Sequence, residues 1–163
     1  MHRGRGSGLT MNRLDLRVGR AVMTALALMA LAVAPVVAAP ANDRKRDATA
    51  IQTLPYFSAQ VTEGATAHGE RQPSCGPAGQ IVWFTMASAP QNFVVETSGY
   101  DTVLAVYQEG AGDKEIACDN DGGASGGSRL VLTGQGGKTL YFAVGVCCDK
   151  KATTTSQLRF QVS

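Results

Sequence analysis

The side chains best equipped for chemistry in this 163-residue chain gather in one acidic, glycine-flanked run, Asp119-Asn120-Asp121-Gly122-Gly123. Carboxylates and amide carbonyls are the hard oxygen ligands that calcium takes. The D-x-D-x-D spacing of an EF-hand loop is not met, and Leu130 stands where its bidentate Glu would be. Short polar side chains also bond their own backbone and so shape turns between strands. Turn formation is the plainer reading of Asp119, Asn120 and Asp121, and ligand binding is the sharper one. Asp101, just before a β-rich run, has the chemistry of a ligand or a general acid. No partner for it stands out, and capping the Gly99-Tyr100 turn is the plainer role.

Nucleophilic catalysis finds little support. His68 is the only histidine after the first few residues, in a Thr-Ala-His-Gly-Glu stretch that reads as a loop, and no G-x-S-x-G occurs. Paired carboxylates for glycoside cleavage are defined by separation in space, and nothing in the sequence marks a pair. The chain therefore reads as non-catalytic, with a small secreted hydrolase or an enzyme inhibitor as the alternative. Cys75, Cys118, Cys147 and Cys148 contain no C-x-x-C and lack zinc-site spacing. Disulfides suit them better, with three pairings open. Glycan binding would need exposed aromatic faces. Trp83, flanked by Val82 and Phe84, reads as core, and Tyr100 is the better candidate for exposure.

An oxidising compartment is implied by the N-terminus. Arg13, Arg17 and Arg20 precede the apolar run from Ala21 to Val37, and Ala39-Pro40-Ala41 follows as an A-x-A site. This is the pattern of a secretory signal peptide over residues 1–41, with cleavage before Asn42 or, alternatively, after Ala38. Met11 offers a second start, no two arginines are adjacent, and Pro35 interrupts a run already short for a membrane span. The reading is a secreted or periplasmic protein without a membrane anchor. Residues 1–41 hold five arginines and one acid, so the 15 basic and 13 acidic residues of the chain become 10 and 12 thereafter. A net −2 on residues 42–163 gives nucleic acid nothing to neutralise.

Those residues alternate. Val82, Phe84 and Met86 oppose Ile81, Trp83 and Thr85; Phe93 and Val95 flank Val94; Leu140, Phe142, Val144 and Val146 share one parity, as do Leu158, Phe160 and Val162. Thr102 to Tyr107 is apolar on both faces, as a central strand should be. Gly-, Asn- and Asp-rich turns separate the segments. The spacing predicts an all-β, antiparallel sandwich, with a helical turn or two within residues 43–54 before the first strand.

The motifs fall in a familiar order: Asn42-Asp43, Pro73-Ser74-Cys75, Ile81-Val82-Trp83-Phe84, the run Tyr100 to Tyr107, Ala117-Cys118-Asp119-Asn120-Asp121, Ser128-Arg129-Leu130, and Gly137 to Phe142. In this order residues 42–163 resemble the bacterial pre-peptidase C-terminal (PPC) type domain. The resemblance implies a jelly-roll-like β-sandwich, acting as a non-catalytic accessory module. Its ligand would be an extracellular glycan, a matrix component or an exported protein, bound by a monomer. Some calcium-binding members use residues matching Asn42 and Asp43, together with acids before the aromatic strand. Gly79-Gln80-Ile81-Val82 supplies none of the latter, so calcium is expected to be dispensable and no other cofactor is implied. The resemblance also implies a Cys75–Cys118 bond. Cys147 and Cys148 are then left as a labile vicinal bridge or two free thiols.

Overall fold

The computed structural model describes residues 37–67, 69–148 and 157–163. The signal peptide expected over residues 1–41 lies, up to residue 36, outside the described residues, as does His68. The strands are β1 (Thr49–Ala50), β2 (Tyr56–Val61), β3 (Ala78–Met86), β4 (Asn92–Ser98), β5 (Thr102–Gln108), β6 (Lys114–Asp119), β7 (Arg129–Thr133), β8 (Leu140–Cys147) and β9 (Gln157–Val162). They form a five-stranded sheet, β1-β3-β8-β5-β6, and a four-stranded sheet, β2-β9-β4-β7. The antiparallel pairs β2–β9, β3–β8, β4–β7 and β5–β6 are nested one inside the next. A long hairpin wound on itself in this way is a jelly roll. The one parallel contact among the described residues is β1 on the edge of β3, Thr49 opposite Phe84. Between residues 43 and 54 a single 3-10 turn, Lys45–Asp47, is all the helix that forms.

Alternation sends one parity of each strand between the sheets. Phe84, Leu104, Phe142, Leu158 and Phe160 are fully buried there. Phe84 stacks on Phe160 at 4.0 Å between ring centroids, and Phe142 meets Phe160 edge-on at 5.8 Å. Burying each such side chain stabilises by about 1.5–3 kcal/mol relative to leaving it exposed.

The five-stranded sheet is buried on its other face as well. Ile81, Trp83, Val103, Ala105, Tyr107 and Ala143 form a second apolar layer, with Ala48, Ala67, Cys75 and Cys118 packed against it. This is why β5 is apolar at both parities. Asn42 fastens the covering segment. It is 2% exposed, its Nδ2 donates to the Trp83 carbonyl at 3.0 Å, and its Oδ1 accepts from Gln60 Nε2 at 3.1 Å. The Asn42 carbonyl accepts the Trp83 N–H at 2.9 Å. Asp43 accepts the Thr66 N–H on one carboxylate oxygen and the Thr66 hydroxyl on the other. Both side chains offered above as calcium ligands thus act as staples between chain segments.

Cys75 and Cys118 are bonded, tying the Pro73–Pro77 loop to the edge strand β6. Cys147 and Cys148 are bonded to each other. Neighbouring side chains on a strand point to opposite faces, and the bond forms because the chain leaves β8 at Cys148, where φ is +60°. No helix among the described residues is long and apolar enough to cross a membrane.

Candidate functional site

The outer face of the four-stranded sheet carries one row of aromatic, polar and charged side chains straight across it. Register places Phe57 on β2 opposite Gln161 on β9, Gln161 opposite Glu96 on β4, and Glu96 opposite Arg129 on β7. Phe57 is 60% exposed, the most exposed of the large apolar side chains in the described residues. Gln161 Nε2 donates to one Glu96 carboxylate oxygen at 2.9 Å, and Arg129 Nε donates to the other at 3.0 Å. Glu96 is thereby bridged between Gln161 and Arg129. One register step along, Arg159 lies between Ala59 and Ser98, exposed, with no ion pair among the described residues. Phe57, Glu96, Ser98, Ala124, Arg159 and Gln161 line a shallow depression of about 200 Å³, walled on one side by the Gly123-Ala124 loop. An exposed phenyl, a free guanidinium and an oriented amide meet on rigid strands.

Sequence reasoning passed over this face because β2 falls outside the segments picked by alternation. Its parity is inverted: Phe57, Ala59 and Val61 point outward while Ser58 and Gln60 are half-buried. The period-two signal in Phe57-Ser58-Ala59-Gln60-Val61 marks a strand. It does not say which face meets solvent.

Tyr100 is placed differently from its expected exposure. It is half-buried, packs against the inter-sheet core, and shares a hydrogen bond with Thr62 Oγ1 at 2.8 Å. Burial raises its pKa to about 12, a shift that the Thr62 bond partly offsets. The reason is its position: the chain turns inward at Gly99 to start β5, and the ring follows. Asp101 beside it is half-buried, and its carbonyl accepts the Cys147 N–H at 2.9 Å.

The acidic loop is organised as a turn. One oxygen of Asp119 accepts the N–H of Gly122 and that of Arg129, both at 2.8 Å, so the carboxylate ties the loop's start to β7. A Cβ at Gly122 would lie 2.7 Å from the other oxygen, which explains the glycine there. Asn120 is half-buried with its Oδ1 unpaired, and Asp121 is exposed. Among the described residues no three acidic, histidine or cysteine side chains converge as a metal site would require.

A second cavity, of about 410 Å³, opens on the covered face of the five-stranded sheet, where Trp83 and Tyr107 meet Lys45, Glu70, Arg71 and Asp113. Trp83 is in the core as its sequence context implies, in this second layer rather than between the sheets. Asp113 is paired with Lys45, whose ammonium also sits 3.8 Å above the Tyr141 ring. Glu70 is the remaining carboxylate, its pKa raised by burial first and by Asp43 after that. Asp113 is committed to Lys45 and Asp43 to Thr66, and no serine, threonine or cysteine lines the cavity among the described residues.

No family model matches this chain, and neither a curated protein nor a solved structure matches it.

Proposed function

We propose that the chain is a secreted, non-catalytic accessory module, of the PPC-like kind its motifs resemble, that binds an extracellular glycan on the outer face of the four-stranded sheet. The observation that carries this reading is Phe57, 60% exposed at the end of the Gln161–Glu96–Arg129 row. A sugar ring presents apolar C–H groups on one face and hydroxyls around its edge. Phe57 offers a surface for the first, while Arg159 and Gln161 offer planar hydrogen-bonding groups for the second. The groups sit on strands whose inner faces are packed, so little order is lost on binding. A leader followed by two cystines fits an exported chain.

Affinity electrophoresis of the purified residues 42–163 against soluble polysaccharides tests it. Retardation by at least one glycan is expected. Phe57→Ala and Arg159→Ala should each weaken it by about tenfold or more, a change of about 1.4 kcal/mol, with the melting temperature unmoved because both side chains are exposed. Retardation that survives both substitutions, or none with any glycan, refutes the proposal.

A further inference from the structure

The cavity over Trp83 stands apart from the proposed glycan face, on the opposite sheet, and one residue that lines it carries an uncompensated donor. Trp83 is 2% exposed and its Nε1 has no hydrogen-bond partner. An indole N–H buried without an acceptor costs free energy that a native site ordinarily avoids. Tyr107, 5.8 Å away between ring centroids, has a buried hydroxyl that faces Glu115 without forming a hydrogen bond of normal geometry.

Above the two rings the charged groups divide into committed and free. Lys45 and Asp113 hold each other. Arg71 is exposed, and its Nη1 donates to the carbonyls of Asp113 at 2.6 Å and Gly112 at 3.3 Å, so its guanidinium lies across the mouth with no ion pair among the described residues. Glu70 lies near the Lys45 backbone and has no ion pair among the described residues. The volume is within the roughly 300–1,000 Å³ of small-molecule sites. The vacant partners are therefore an anion or acceptor for Arg71 and the indole, a cation for Glu70, and an apolar body for the rings.

We propose that this cavity binds a small zwitterion of the free amino acid or short peptide class, carboxylate toward Arg71 and the Trp83 N–H, ammonium toward Glu70. The indole N–H is closed off as the side chains stand, so the occupant enters by displacing the Arg71 strap from the Gly112 and Asp113 carbonyls. These contacts are exposed hydrogen bonds to one flexible side chain, and a carboxylate is a better partner for a guanidinium than two carbonyls.

Trp83 is the chain's single tryptophan, so its fluorescence reports on this cavity alone. The experiment titrates the folded protein with L-leucine, glycyl-L-leucine and the end-blocked N-acetyl-leucine amide, reading emission and, in parallel, heat. A saturable emission change is expected with the two zwitterions and not with the blocked amide. Arg71→Ala and Glu70→Gln should each weaken it at least tenfold, and Phe57→Ala should leave it unchanged. Should Arg71→Ala fail to fold, Arg71→Lys takes its place, and the lost bidentate geometry should still weaken binding. No saturable response to either zwitterion overturns the proposal. So does an equal response to the blocked amide, or heat without any change at the indole. Because Phe57→Ala separates the two faces, failure here leaves the glycan reading standing, and the reverse also holds.

Discussion

Asp119 separates a turn-forming role from a metal-binding one, because each reading assigns its carboxylate different work. In the structure a single oxygen accepts two backbone N–H groups, from Gly122 and Arg129, both at 2.8 Å. Hydrogen bonds to a charged acceptor contribute about 1.5–3 kcal/mol each. At this solvent-facing rim the freed N–H groups hydrate, so the sum is discounted to about 2 kcal/mol for Asp119→Ala. For a domain of this size that is a fall in Tm of about 6–10 °C. Asp119→Asn retains one carbonyl oxygen that can take both N–H groups, and should cost under about 1 kcal/mol. Urea and thermal unfolding of the three proteins, each with calcium and with chelator, measure this. The expected order is wild type, Asn, then Ala, with calcium making no difference to any of them. The reasoning is refuted if Asn is as damaging as Ala, or if chelator lowers the wild-type Tm by several degrees and leaves the variants unmoved.

Four further outcomes are expected. Tyr100 has its pKa raised from about 10 to about 12 by burial, so the folded state holds a proton that the unfolded chain has lost. Its stabilisation is whole below pH 10 and falls by up to about 1.4 kcal/mol per pH unit as pH rises toward 12; Tyr100→Phe should flatten that decline in urea midpoints measured across the window. The Cys75–Cys118 bond closes a separation of 43 residues, and replacing both with Ser should cost about 4 kcal/mol in urea unfolding on the chain-entropy account. A non-reduced tryptic digest of the wild type should show Gln72–Lys114 linked to Glu115–Arg129, with Thr139–Lys150 separate. Gly99 has φ +109°, and a Cβ there would lie 2.0 Å from the Gln157 carbonyl oxygen. Gly99→Ala should therefore cost about 3 kcal/mol or more, seen as low soluble yield or a collapsed Tm.

The core was legible because burial and alternation coincide in it. Val82, Phe84 and Met86, or Leu158, Phe160 and Val162, have one parity apolar and buried. Thr102–Tyr107 was legible for the opposite reason, since only a strand covered on both faces is apolar at both parities. The candidate sites were harder to read. Phe57 is a candidate for binding because it points outward, and a lone sequence does not distinguish an outward phenylalanine from an inward one. Only the Phe57–Gln161 and Gln161–Glu96 register brings residues some 40 to 100 positions apart into one row. Tyr100 looked exposed because it follows Gly99 in a turn, and its contact with Thr62 is set by a long-range return of the chain. Trp83 was rightly taken as buried, but its orphan N–H belongs to a second layer that no local pattern announces.

The nesting of the strand pairs also sets an order of assembly. The innermost pair, β5 with β6, is a local hairpin with its tip near Glu109–Asp113, whereas the outermost joins Tyr56 to Val162. Loop-closure entropy grows with the separation bridged, so the inner pair forms at least cost and the outer pair at most. β9 does more than complete the outermost pair: it fills the slot between β2 and β4, and its Phe160 supplies the ring on which Phe84 stacks. Until that strand arrives the four-stranded sheet is divided, with two facing edges open to any other extended chain. The fold is therefore slow by topology. Its period of greatest exposure lies between synthesis of β4 and delivery of β9.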